Sequence, residues 1–359
     1  RAVREKDPKM FLNITSGTWL SPWWVKYANQ IWMQGSDYGY ADVPSISPRD
    51  AAITYRDFIL YDDFTNNNWW FPIANLMTHG IIKGNLQMLG GQEEPLDKFT
   101  NEVLLYFARG VSMWELYISP DILTDGEWDA MGQAMHWARD RFPILSSTEM
   151  VGDDPRKRET YGYVHFNGKK GIIAARNPWI EARSLRVNLL TAYGVDADAS
   201  SLVLERVYPS RWVSPKLYKT GESLELPLDG YETAIYELYP IAEADVPLLA
   251  GAMFDVRNTQ DGRSMLSVYS SGADMKVMNP DQFKISTPLG DLVKQMKSQP
   301  EPVEKKSMAF LFDDAAAELR ASFTLDPSVS EASLALLLTP EKGMKTKSQP
   351  TVLVTIDGR

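Results

Sequence analysis

The stretch Ile31-Trp32-Met33-Gln34-Gly35-Ser36-Asp37-Tyr38 is an apolar run that breaks into an acid among aromatic residues. A carboxyl group held beside Trp32, Tyr38 and Tyr40 is partly desolvated, which raises its pKa and suits it to act as a general acid on a leaving oxygen. The same Asp37 after Ser36 also fits an ordinary turn. Asp37 has the strongest case; the other candidates are Ser16 and Gly17, Thr78 and His79, and Glu115 with Tyr117, each following or ending an apolar run. His79 before Gly80 equally suits a hydrogen-bonded structural histidine, and Glu115 after Trp114 equally suits an ion pair. His136 and His165 have no companion at metal-ligand spacing, so no metal is assigned. No cofactor is assigned either: glycine-rich phosphate loops and the Gly-x-Ser-x-Gly elbow are absent from the sequence.

The elements that must position these residues follow from periodicity. "MFLNIT", "QIWMQGS", "FPIANLM" and "VSMWELYIS" read as four short strands. "SPWWVKYAN", "SPRDAAITYRDFILYD" and "LDKFTNEVLLYFAR" read as helices between them, the last stopped by Gly110. A fourth helix starts at Thr124 and Glu127, which have capping-box spacing; Trp128, Met131, Met135, Ala138 and Phe142 repeat at helical intervals until Pro143, where the helix is predicted to end. The Arg56-Asp57 pair on the second helix is read as solvated or locally paired.

Four strand-helix units over residues 1–148 predict the second half of a (β/α)8 barrel, because eight units would need roughly 250 residues. Functional side chains then sit at the C-terminal ends of the strands, which is what selects Ser16, Gly17, Asp37, His79 and Glu115. A half-barrel leaves raw sheet edges, so its first half is expected from the same or another polypeptide. A small open doubly wound sheet would need no such partner. From residue 149 strands alone follow: "TYGYVHFNGKKGIIAARNPW" carries a hairpin signal at Asn167-Gly168, and an antiparallel β-sandwich is expected over 149–245. A further β-rich domain, incomplete at its C-terminus, is expected over 246–359. The fold class is thus α/β plus all-β.

Composition narrows the partners. The net charge of −10 without a clustered basic stretch argues against nucleic acid. There is no cysteine, so disulfides, thiolate metal sites and cysteine nucleophiles are excluded. No apolar run approaches the roughly 20 residues that span a bilayer. Eleven tryptophans and sixteen tyrosines supply aromatic planes of the kind that stack on sugar rings, though core packing uses the same residues.

Three stretches carry a family resemblance: "NITSG" at 13–17, "WMQGSD" at 32–37 and "FPIANLMTHG" at 71–80. With the strand-rich region that follows, they resemble the C-terminal portion of the α-galactosidase-like glycoside hydrolases, the clan of families 27, 31 and 36, with family 36 nearest in layout. The resemblance implies a retaining hydrolase acting on α-linked galactose or a related sugar in an oligosaccharide or polysaccharide. It makes Asp37 the acid/base, with Ser16, Gly17 and His79 lining the substrate site; Trp32 and Tyr38 beside Asp37 and Glu115 on its strand complete the expected substrate-binding set. The family's nucleophile, in a Lys-Trp-Asp-type motif, is not found in this chain and is expected upstream of Arg1. Where family 36 has a second Asp shortly after its Ser-Asp, this chain has Tyr40. A secreted or periplasmic protein is expected, and the rival reading is a non-catalytic carbohydrate-binding or surface-assembly protein on the same scaffold.

Overall fold

The computed structural model describes residues 2–15, 21–32, 45–78, 80–86, 89–91, 94–258, 264–283, 309–313 and 318–322. The chain divides into two compact units, Arg1–Glu304 and Lys305–Arg359.

The first unit opens with helix α1 (Ala2–Lys6) and five short strands: β1 (Asn13–Ile14), β2 (Gln30–Trp32), β3 (Leu76–Met77), β4 (Ile81–Lys83) and β5 (Leu116–Ile118). β1, β2 and β3 pair in parallel and in chain order, and β4 pairs in parallel with β5. α2 (Pro48–Tyr61) lies between β2 and β3, α3 (Leu96–Ala108) between β4 and β5, and α4 (Asp125–Leu145) follows β5. α2 begins where Ser47 accepts the Asp50 N–H and Pro48 needs no partner. α3 stops at Gly110, whose φ of +72° an L side chain rarely adopts.

The Pro22–Lys26 segment is a 3-10 turn, not the α-helix its sequence suggests. α4 carries the expected capping box between Thr124 and Glu127, but it runs through Pro143 to Leu145. Proline lacks one N–H donor and keeps a helical φ, so near a C-terminus the helix can close its last turn around it, here through the Ser146 N–H to the Phe142 carbonyl at 3.0 Å. Its buried stripe is Met131, Ala134, Ala138 and Leu145, leaving Trp128 38% exposed.

The antiparallel region comprises β6 (Thr148–Gly152), β7 (Tyr161–Asn167), β8 (Lys170–Arg176), β9 (Arg183–Asn188), β10 (Leu202–Tyr208), β11 (Trp212–Val213), β12 (Ser223–Leu228), β13 (Thr233–Pro240), β14 (Leu249–Asn258) and β15 (Ser264–Val277). Eight of them form one sheet in the order β15-β14-β11-β10-β13-β8-β7-β6, while β9 and β12 form a ribbon. The period-two alternation of β7 decides both faces. Val164 and Phe166 pack with Leu185, Val187, Leu224 and Leu226 of the ribbon, whereas Tyr163 joins the helix core with Phe99, Val103 and Ala138. The β7–β8 hairpin closes at Asn167↔Lys170, so Gly168 and Lys169 form its turn, with Gly168 at φ +69°.

β14 and β15 enter this same sheet through β11, with Val213 paired to Ala250. The sheet therefore continues across residue 245 to Val277, sealed by Val203, Val213, Leu248, Leu249 and Phe254. In the second unit, β16 (Ala309–Asp313) and β17 (Glu318–Ser322) form an antiparallel pair. The later runs "ASLALLLTP" and "TVLVTIDGR" lie outside the described residues. Among the described residues no helix is long and apolar enough to cross a membrane.

Candidate functional site

Register and alternation sort the parallel strands into two faces. Asn13 pairs with Gln30, Ile31 with Leu76, and Trp32 with Met77. Ile31 and Leu76 are buried in the core that holds Phe99 and Val103 of α3. Gln30 and Trp32 therefore project from the opposite face of β2, and so do their register partners Asn13 and Met77.

That second face is polar where a core would be apolar. The Gln30 side-chain amide donates to the Leu76 carbonyl at 2.8 Å, which fixes its orientation and turns Oε1 the other way. Asn13 Nδ2 donates to Met77 Sδ at 3.1 Å, a weak acceptor. Among the described residues, Gln30 Oε1 and Asn13 Oδ1 are buried without a hydrogen-bond partner. Native proteins rarely leave such atoms unpaired, so each is a place for an incoming donor. Two carbonyl oxygens near a half-buried Trp32 suit a neutral, hydroxyl-bearing ligand.

Of the residues singled out in the sequence, Trp32 ends β2 on this face. Glu115 immediately precedes β5, so it stands at the entry of that strand and not near its end. The reason is that β5 pairs only where β4 runs beside it, from Ile81↔Leu116 onward. The Glu115 N–H donates to the Tyr106 hydroxyl at 2.6 Å, and the Tyr117 hydroxyl lies 3.4 Å from Glu115 Oε2. A Cβ on Gly80 would fall 1.6 Å from the Glu115 carbonyl oxygen, so the backbones touch there and only glycine fits. Asp37, Tyr38, Ser16, Gly17 and His79 lie outside the described residues, as does Tyr40.

Behind the strands lies a buried ionic network that includes Arg56 and Asp57, the pair expected to be solvated or locally paired. Arg49 pairs with Glu94 at 2.6 Å and with Glu102; Arg56 also pairs with Glu102; Lys83 pairs with Glu94 at 3.1 Å and with Glu127. Asp50 meets Arg176 of β8. Asp57 accepts from Arg109 Nε and Nη2 at 2.8 and 2.6 Å, from the Tyr163 hydroxyl at 2.7 Å, and from the Tyr161 hydroxyl. Burial would raise the Glu102 carboxyl, but Arg49 and Arg56 beside it hold it below its usual range. Burial drives the Tyr161 and Tyr163 phenols well above theirs, with Asp57 adding to it. A signal for this was present: Arg49-Asp50 recurs seven residues later as Arg56-Asp57, which puts both pairs on one face of α2. The network ties α2, α3, β4 and α4 to the sheet at β7 and β8.

His165 belongs to this frame. Its Nδ1 lies 2.9 Å from the Leu145 carbonyl and 3.1 Å from Thr148 Oγ1, and burial lowers its pKa to about 4. Among the described residues no group of three or more His, Asp or Glu side chains is placed to hold a metal.

No family model and no curated protein matches the sequence. Solved structures similar to the chain include a GH36 α-galactosidase from Geobacillus stearothermophilus in complex with raffinose, at 12% identity and TM-score 0.43, covering 67% of this chain and 30% of that one. α-Galactosidase I from Mortierella vinacea is similar at 9% identity and TM-score 0.36, over 60% and 54% of the two chains. An α-amylase from Geobacillus thermoleovorans, complexed with acarbose, is similar at 13% identity and TM-score 0.41, over 67% and 55%. This chain spans less than two thirds of the length of each. All three are glycoside hydrolases, two of them α-galactosidases, the group that the motifs at 13–17, 32–37 and 71–80 resemble. At these TM-scores the likeness carries no argument about chemistry, which rests on this chain's own residues.

Proposed function

We propose that this chain supplies the acid/base portion of a glycoside hydrolase acting on α-linked galactose or a related sugar. The observation that carries the reading is the polar face of β1 and β2, where the buried oxygens of Asn13 and Gln30 await donors near Trp32. A sugar brings hydroxyl donors and an apolar ring face, and the pair of features answers both. The parallel order of β1, β2 and β3, and the pairing of β4 with β5, support reading these strands as the second half of a (β/α)8 barrel. The first half, from the same or another polypeptide, would pack against the edge at β1 and bring the nucleophile.

In this reading the nucleophile attacks the anomeric carbon while Asp37, following β2 in sequence, protonates the leaving oxygen. Asp37 then takes a proton from water as the glycosyl-enzyme is hydrolysed, and the configuration is retained. Ser16, Gly17, Tyr38 and His79 are proposed as further lining of the sugar site, whereas Glu115, at the entry of β5, is left out of it. No metal or cofactor has a step in this scheme, and the setting proposed is secreted or periplasmic.

The test is turnover of aryl α-galactosides by Asp37→Asn in the complete protein. General acid catalysis contributes roughly 10²- to 10⁴-fold, so activity on a poor leaving group should fall by that order while a dinitrophenyl leaving group suffers less. Near-normal hydrolysis of the poor leaving group would remove Asp37 from the role. A second reading, a carbohydrate-binding protein without turnover, is favoured by the lack of a carboxylate among Asn13, Gln30, Trp32 and Met77, the described residues placed on this face. Binding of raffinose without hydrolysis by the complete protein would select it.

A further inference from the structure

The connection from α2 to β3 carries Thr65-Asn66-Asn67-Asn68-Trp69-Trp70, six consecutive exposed residues, with Trp70 82% and Trp69 39% exposed. These indoles are not at a frayed end. Leu60 before them and Phe71 and Ile73 after them are buried. The end of α2 widens into a π-turn over Asp62–Asn66, a feature found often at functional sites. The Asn67 N–H then donates to the Asp62 carbonyl at 2.8 Å and the Trp69 N–H to the Asp63 carbonyl at 3.0 Å. Asn68 takes φ +49°, a left-handed conformation that asparagine tolerates better than most residues. Asp62 is held by Arg156, whose guanidinium lies 4.8 Å from the Phe58 ring centroid, so the base of the turn is anchored to the segment between β6 and β7. A tryptophan can bury 150–250 Å² of mostly apolar surface, of the order of several kcal/mol at ~25 cal/mol per Å², and here that gain is forgone on a braced turn. Adjacent exposed apolar groups of this kind mark a binding surface.

The chemistry selects the ligand. Residues 62–72 contain no lysine or arginine and two aspartates, which disfavours phosphates, nucleic acid and anionic lipid. Three neutral carboxamides, each both donor and acceptor, precede the two indoles in sequence; Asn66 Nδ2 donates to Asp62 Oδ1 at 2.8 Å, and Asn67 and Asn68 are exposed beside it in the chain. That combination fits the apolar face and hydroxyl rim of a pyranose. We infer that Asn66 to Trp70 form a platform for a neutral polysaccharide. The platform precedes β3 in sequence, whereas Trp32 ends β2 and the proposed acid follows it in sequence. The inference shares its ligand class with the proposed function but does not use Asp37.

Affinity electrophoresis of the full chain in native gels containing soluble galactomannan or starch tests it. Retardation in at least one polysaccharide is expected, with Trp70→Ala weakening the binding constant tenfold or more. Trp70→Phe should keep most of it, and Trp23→Ala, at a residue 74% exposed elsewhere, should keep all of it. Asp37→Asn should be retarded like the parent, so a failed turnover test and a failed platform are told apart. Unretarded parent protein in both polysaccharides, or Trp70→Ala migrating as the parent does, would overturn the inference. So would a sedimentation shift showing that Trp70→Ala dissolves a self-association, since the surface would then be an interface between copies.

Discussion

Asp57 is the position where burial turns a surface-looking residue into a keystone, and its replacement by alanine has a calculable cost. The carboxylate accepts from Arg109 at two nitrogens, and from the hydroxyls of Tyr161 and Tyr163, all in the interior. Asp57→Ala leaves one guanidinium and two phenols facing no acceptor. Breaking a buried ion pair from one side costs about 3–5 kcal/mol, and each stranded hydroxyl adds about 1 kcal/mol or more, short of full additivity because the groups share one partner. The expected loss is about 5 kcal/mol, the scale of the whole stability of many domains. Tyr163→Phe removes one hydrogen bond to a charged acceptor and should cost about 1.5–3 kcal/mol. The double variant Asp57→Ala with Arg109→Ala should lose at least about 2 kcal/mol less than the sum of the two single losses, because the stranded charge is gone. Guanidinium unfolding followed by circular dichroism measures all three through the transition midpoint at constant slope. A loss under about 1 kcal/mol for Asp57→Ala, the range of a solvent-exposed pair such as Lys169 with Asp198, would refute the argument.

Two further predictions follow from the frame of the site. His165 titrates near 4 in the fold against about 6.5 when unfolded, so the unfolded chain binds the proton first. Its contribution is complete above the unfolded value and is lost as pH falls from about 6.5 to about 4, by up to about 3 kcal/mol; His165→Gln should flatten the pH dependence of stability in that window. Glycines should divide by what a methyl would meet: Gly80→Ala drives a Cβ into the Glu115 carbonyl and should lower stability by more than about 1 kcal/mol, whereas Gly132→Ala in α4, with open space around it, should raise stability by about 0.5–1 kcal/mol. Thermal unfolding of the two variants checks the opposite signs, and equal effects would contradict the close approach at Gly80.

The sequence by itself determined the elements whose causes are local. Ser47 and Pro48 start α2, the Thr124–Glu127 box starts α4, Gly110 ends α3, and the glycine after Asn167 turns the β7–β8 hairpin. Each rests on hydrogen bonds or dihedral preferences within a few residues, which the order of side chains states directly. What only the tertiary structure decided depends on pairing across the chain. The runs of six to nine residues read as strands are two or three residues long in β1, β3 and β5, because a strand extends only as far as its neighbour does, and β4 is a strand that the sequence reading did not mark. That placed Glu115 at the entry to β5. Arg56 and Asp57 look solvated on α2, yet Glu102, Arg109, Tyr161 and Tyr163 arrive from distant segments to bury and pair them. β14 joins the sheet through two residues of β11, a contact that no local pattern announces. The unpaired oxygens of Asn13 and Gln30 belong to the same class: an amide in a short strand is unremarkable until the register shows which face it shares, and what it lacks there.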